Sequence, residues 1–313
     1  MDSTLTTGII ISVLVLSIGV YTTLYSDDTF NRGVKANKDK PKLWVYLNSS
    51  DVNSRSWSDF MSRSSHAINL PYLNLCYETI VAKNCDIYDV EVIGGLQDLA
   101  VRMGGWESLP SPLRNTNVVV REPELNWIRA AVLNKWGGLW VCPSVICLKG
   151  FGALPKKRVV FFGADTDPTY NSPKNLPSLN VCWSPAPNHR LWATWEKKVR
   201  DRLERRSGGS EFRHDEKSDL VDALDEFKND CIHIESAELS RKGASLKRIE
   251  LEDLLSAGTE GELPFTIYSN NVYVPIPYPE ILQRSAFEWF LRMSEAQIME
   301  SDLVVTYLFN LAK

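Results

Sequence analysis

The sequence predicts an α/β fold built on a parallel sheet and carried behind an apolar amino-terminal anchor, on three observations. From Lys42 onward, short apolar runs alternate with helix-period segments, the pattern of a parallel sheet with crossover helices. A helix ends at Gly137-Gly138, and the strand that leaves it breaks at Cys142-Pro143-Ser144. No charged side chain occurs from Ser3 through Ser26.

The third observation sets the organisation. The 24 uncharged residues reach about 36 Å as a helix, against a hydrocarbon core of about 30 Å. A cleaved signal peptide is the rival, but Asp2 is the only charged side chain ahead of the apolar run and no A-x-A-like site follows it. Residues 1–26 therefore read as a single-span transmembrane helix, and the polar, charge-mixed residues 27–41 as a stalk. Sidedness stays open. Arg32, Lys35, Lys38, Lys40 and Lys42 follow the span and favour a cytosolic body, whereas the sequon Asn48-Ser49-Ser50 favours a lumenal one.

Residues 42–313 form the folded body. Lys42 to Asn48 reads as a buried strand and Leu70 to Lys83 as a helix. A strand at Ile87 to Ile93 and a helix at Leu96 to Met103, closed by Gly104-Gly105, follow. Pro123 opens the next helix, with Leu125, Ile128, Val132 and Trp136 on one stripe. Two apolar runs then flank the Cys142-Pro143-Ser144 kink, Leu139 to Val141 and Val145 to Leu148. The kink lies just past a strand's carboxyl end, where open α/β sheets bind ligands. Residues 188–206 predict a helix with seven Lys/Arg, either a solvated face or a contact for phosphate or anionic lipid. Residues 207–261, opening on Ser207-Gly208-Gly209-Ser210, read as an insertion or accessory lobe. Strands at Pro264 to Tyr268 and Val272 to Ile276 and helices at Glu280 to Met293 and Ser301 to Leu311 complete the chain.

Composition excludes several classes. The 313 residues carry 35 Lys+Arg against 39 Asp+Glu, a net charge of -4, which gives no electropositive field for nucleic acid. Collagen-like, coiled-coil and disordered classes are excluded too. The six Cys hold no C-x-x-C pair and the four His no H-x-x-x-H spacing, so the thiols read as reduced and a structural zinc site is not predicted.

Leu125-Asn126-Trp127-Ile128-Arg129, followed by Trp136-Gly137-Gly138-Leu139-Trp140-Val141-Cys142-Pro143-Ser144, resembles the frame S-D-x-x-R then Y-G-G-I/L-Y/W-aliphatic-D-x-D/T. That frame belongs to the glycosyltransferases with the DXD sugar-binding region and the related capsular polysaccharide synthesis proteins. The opening KLWVYLN and the segment Trp289 to Asp302 are similar to that group as well, and the resemblance is strongest over residues 41–165. It implies a GT-A fold, Rossmann-like, of the nucleotide-diphospho-sugar transferases. The implied activity moves a sugar from a nucleotide-sugar donor to a glycan or related acceptor.

The resemblance also implies site residues. Trp44, Asn126, Arg129, Gly137, Gly138, Trp140, Cys142, Ser144 and Ser294 are those for substrate, and Glu295 and Glu300 are the catalytic candidates. Each has a plainer alternative: a surface position for Arg129, a core ring for Trp140, an inert strand thiol for Cys142, exposed helix carboxylates for the two glutamates. The family's divalent cation, Mn²⁺ or Mg²⁺, would find Cys142 and Ser144 where it needs carboxylates. Asp165 and Asp167 are the alternative metal candidates, or else form a turn ahead of Pro168. Two non-catalytic alternatives stand beside the enzyme: a glycosyltransferase-like binding scaffold that has lost its metal turn, and a membrane-tethered interaction module.

Overall fold

The computed structural model describes residues 40–48, 70–115, 118–165, 176–205, 212–243, 247–258 and 263–313. The predicted anchor at 1–26, Ser49 and Ser50 of the sequon, Asp167 and the joint at 207–210 lie outside the described residues, as does the stalk up to residue 39. Among the described residues no helix is long and apolar enough to cross a membrane.

The first half runs β1 (Lys42–Leu47), α1 (Pro71–Asn84), β2 (Asp89–Gly94), α2 (Gly95–Met103), α3 (Glu122–Trp136), β3 (Gly138–Val141), β4 (Val145–Cys147) and β5 (Val159–Ala164). The second half adds β6 (Pro177–Ser184), α4 (Arg190–Arg205), α5 (Phe212–Glu226), β7 (Cys231–Ile234), β8 (Arg241–Lys242), β9 (Lys247–Arg248), α6 (Leu251–Leu254) and β10 (Tyr273–Pro275). Four short helices close the chain: α7 (Tyr278–Gln283), α8 (Glu288–Arg292), α9 (Glu295–Glu300) and α10 (Val304–Ala312).

The central sheet has six strands in the order β2-β1-β3-β6-β5-β7. β1 pairs parallel with β2 and β3, and β5 parallel with β7. β6 runs against both its neighbours, β3 and β5. The sheet is thus parallel apart from one strand, so the carboxyl ends of β1, β3 and β5 share an edge.

Both faces of the sheet are covered, which is why its strands read as unbroken apolar runs. Along β1, Leu43 and Val45 face one core with Leu139, Val141, Tyr88, Phe151 and Tyr273. Trp44 and Tyr46 face the other, with Trp140, Trp127, Trp192 and Trp195. That period of two is the strand's own alternation. A third cluster seats the C-terminal helices on α1 and β4, through Tyr72, Leu73 and Cys76 against Phe290, Val305, Leu308 and Phe309. Fully burying one such side chain stabilises by roughly 1.5–3 kcal/mol.

Three sequence expectations are corrected. Residues 264–268 form no strand; Tyr268 N–H donates to Asn271 Oδ1 at 2.7 Å in a turn instead. The single helix expected over Glu280 to Met293 is broken at Arg284, which takes an extended backbone with φ -95 and ψ 103. Its guanidinium lies 4.7 Å from the Phe287 ring centroid and pairs with Glu252, so α7 and α8 pack separately. The helix expected from about Ser301 starts at Val304, because Leu303 is held extended in an antiparallel bridge to Ala257.

Candidate active site

The site is assembled from the carboxyl edge of the sheet. α3 leads directly into β3 and runs back against it, so the first turns of α3 stand beside the residues that follow Val141. Arg121 N–H donates to the Glu124 carboxylate at 3.0 Å, and Pro123 sits in the first turn where a missing N–H goes unnoticed. The predicted one-sided stripe is too narrow. Trp127 through Leu133 are all buried, because α4 packs beside α3 on the same face of the sheet, its Trp192 ring 5.6 Å from that of Phe161 in β5.

Asn126 and Arg129 are therefore interior groups, 4% and 3% exposed, and the surface alternative for Arg129 is overturned. Arg129 Nη1 donates to Asn126 Oδ1 at 2.5 Å and stands 3.8 Å from Glu122 Oε1, whose side chain is 55% exposed. The guanidinium carbon lies 5.6 Å from the centre of the Trp140 ring. Nε is buried with no hydrogen-bond partner. A full charge held inside by one neutral hydrogen bond, a long ion pair and a ring face is under-compensated.

Cys142 begins the turn beside this charge. Its N–H donates to the Asn180 carbonyl at 2.8 Å. Burial pushes its thiol up to about 11, with the Arg129 guanidinium pulling the other way, so sulfur stays protonated near neutrality. Ser144 is 1% exposed; its Oγ donates to Ile276 O at 2.9 Å and lies 3.5 Å from Tyr72 Oη. The Ser144 carbonyl in turn accepts the Ile276 N–H at 2.8 Å. The hydroxyl pins the kink to the residue after β10.

These groups do not fit Mn²⁺ or Mg²⁺. A hard cation needs several oxygen ligands, and the turn presents a protonated thiol and a hydroxyl already turned to a carbonyl. Asp165 follows β5, its N–H donating to Leu176 O at 2.8 Å. Among the described residues no three His, Cys, Asp or Glu side chains stand close enough together to hold a metal ion.

The other predicted residues lie elsewhere. Gly137 and Gly138 are at the amino end of β3, Gly138 about 13 Å along the strand from Cys142, while Trp44 pairs in register with Trp140 and only its indole reaches back to that end. Trp44 Nε1 donates to Gly137 O at 2.8 Å, and the Trp44 and Trp136 rings stand 5.2 Å apart. Trp140 is fully buried, its ring 6.5 Å from that of Tyr46. Ser294 caps α9, accepting from Gln297 N at 3.2 Å. Glu295 accepts from Asn74 Nδ2 at 2.9 Å, tying α9 to α1, and Glu300 is exposed. Two hollows among the described residues lie on the C-terminal helices. One, of about 510 Å³, includes Trp289, Arg292 and Gln297; the other, of about 370 Å³, includes Asp302, Tyr307 and Asn310.

Three basic residues of the basic helix stand in ion pairs. In α4, Lys198 pairs with Asp222 at 3.2 Å, Arg200 with Glu196 at 3.2 Å, and Arg202 Nη2 donates to Asp219 at 2.7 Å. With these three charges met by carboxylates, this stretch matches the solvated alternative better than the phosphate-binding one.

Sequence reasoning missed Glu238, a buried carboxyl whose field reaches both Cys142 and Cys182. It lies in a charged stretch with no periodicity to mark it. The one signal was Gly163, which interrupts an apolar strand and so announces a bulge or a close approach.

No protein-family model matches the chain, and no curated protein matches it. Among solved structures the chain is similar to one described as PaToxG Glycosyltransferase, with a TM-score of 0.36 and 14% identity, covering 61% of this chain and 69% of that one.

Proposed function

We propose that the chain is a glycosyltransferase, held to a membrane by its apolar amino-terminal segment, that moves a sugar from a nucleotide-sugar donor to a glycan or related acceptor. The reading rests on the sequence frame around Arg129 and Gly137-Gly138 and on the sheet edge to which α3 and β3 bring Arg129. One observation carries it: the buried, under-compensated guanidinium of Arg129 beside a strand's carboxyl end. Charge develops on the leaving diphosphate as the sugar departs. A guanidinium with unused donors in a low-dielectric surround is suited to offset it. Asn126 orients that group, and no step is assigned to a divalent ion because the turn residues do not suit one.

A specific observation favours a second reading. The turn holds a protonated Cys142 and a committed Ser144, and Arg129 is enclosed, which suits a glycosyltransferase-like scaffold that binds without turnover.

Thermal melting of the full-length chain with UDP-, GDP- and CMP-sugars, in Mn²⁺ and in EDTA, tests both. A donor at 100 times its Kd stabilises by about 2.7 kcal/mol, several degrees in Tm. The expected shift is specific to one nucleotide, equal in EDTA, and absent in Arg129→Met. Stabilisation with neither sugar transfer nor donor hydrolysis favours the scaffold. No shift with any of the three overturns the donor site.

A further inference from the structure

Glu238, Tyr273 and the β5 bulge make a buried proton site that the donor reading does not use. Glu238 precedes β10 in the chain but lies beside it, bridging Tyr273 in parallel. The register of β5 on β6 slips between Phe162 and Ala164, and Gly163 at the slip has φ +96. A Cβ there would stand 2.2 Å from Glu238 Oε2, so glycine leaves the space that the carboxyl occupies. From the far side, His233 Nε2 donates to the Gly163 carbonyl at 2.5 Å.

Counting protons identifies the state of the carboxyl. Tyr273 Oη lies 2.6 Å from Phe162 O and 2.5 Å from Glu238 Oε2. A phenol has one hydrogen, and a carbonyl can only accept. If Tyr273 donates to Phe162, the second short contact needs its own hydrogen, and Glu238 is the group that can carry it. Protonated, the chain Glu238 to Tyr273 to Phe162 gives each contact one hydrogen; ionised, it sets two acceptors against one donor.

We propose that Glu238 is a proton-gated latch: neutral, it leaves the Tyr273 hydrogen on Phe162 O and so ties β10 to β5; ionised, it draws that hydrogen to itself and the tie to β5 loosens. The same carboxyl bonds Ser178 and Asn180 of β6, and the Asn180 carbonyl receives the Cys142 N–H, so the latch supports the edge on which Arg129 sits. Burial pushes the Glu238 carboxyl up to about 7, and Asp165 adds to the rise while the bonds from Ser178, Tyr273 and Asn180 oppose it. The remaining titratable groups facing it are Cys142 and Cys182, pushed up to about 11 and about 12, and Tyr273, pushed higher. Those three stay neutral from pH 6 to 8. His233 meets the bulge rather than the carboxyl.

The sign follows from linkage. The folded pKa lies above the unfolded value of 4.5. The stabilisation is therefore complete below the unfolded value and is lost as pH rises through about 7.

The test is independent of any ligand and so of the donor reading. Between pH 6 and pH 8 the folding equilibrium constant of the full chain should fall roughly tenfold through this group, about 3 to 5 °C in Tm. Glu238→Gln, neutral and of the same shape, should remove that part of the fall. An infrared difference spectrum of the wild type across the same range should show a protonated carboxyl C=O band disappearing near pH 7, which needs no variant to fold. A fall in Glu238→Gln equal to the wild type's, or a wild-type spectrum without that band, overturns the latch.

Discussion

The two ends of β3 are built on opposite principles. At its amino end, backbone packs on backbone: a Cβ on Gly138 would stand 2.5 Å from the Lys42 carbonyl and 3.1 Å from Trp44 Nε1, and the indole donates to Gly137 O. The indole N–H and the Gly137 carbonyl satisfy each other. At the carboxyl end, four residues on, Arg129 is buried with a bare Nε and Cys142 is a protonated thiol. The difference teaches that one short motif serves two purposes. Its glycines secure β3 against β1, and its neighbouring helix places a buried charge at the far end.

The largest expected effect breaks the amino end. Gly138→Ala adds a Cβ against backbone at φ +95, so nothing flexible can yield. A loss of about 4 kcal/mol or more in urea denaturation is expected. A loss below about 1 kcal/mol would mean that the close approach to Lys42 is not what holds the glycine.

Ser144→Asp comes next, at the kink. It sets a carboxylate against the Ile276 carbonyl in a fully buried position, with a cost of about 3 kcal/mol. An acidic residue in this turn should thus unfold the edge rather than create an ion site, read as a lower Tm that Mn²⁺ does not recover. Recovery by Mn²⁺ would instead show that the turn can open to a metal.

The smallest effect has the opposite sign. Arg129→Met removes an under-compensated buried charge and keeps the volume, so stability should hold or rise by about 1–2 kcal/mol. The same variant should lose the response to nucleotide-sugars. Destabilisation by about 3 kcal/mol or more would make Arg129 a structural ion and erase the contrast between the two ends.

Much of the fold was legible because strand and helix periods are local. Lys42–Leu47, Pro71–Asn84, Gly95–Met103 and Gly138–Val141 fall within one or two residues of their predicted limits. β6 was not foreseen as a strand, and β7, inside a stretch read as an insertion, joins β5 in the central sheet. Polar residues such as Ser178, Asn180 and His233 blur the apolar signal of both strands.

The site was less legible. Spacing put Asn126 and Arg129 on one face of a helix, and their hydrogen bond follows from that. Their burial does not, because it depends on α4 packing beside α3 on the sheet. The separation of Gly137 and Gly138 from Cys142 was implicit in the strand's length. Only the sheet's edge, however, shows which end faces the carboxyl termini of β1 and β5.

By itself, the sequence determined the alternation of strand and helix, the glycine stop between α3 and β3, and the absence of carboxylates in the turn after β3. These follow from period, backbone freedom and side-chain chemistry, each of which acts within a few residues. Tertiary structure alone decided that Arg129 is an interior charge, that Ser144 is tied to Ile276, and that Glu238 shares one hydrogen chain with Tyr273 and Phe162. Desolvation and proton sharing depend on groups distant in the chain, and sequence spacing carries no record of which of them will meet.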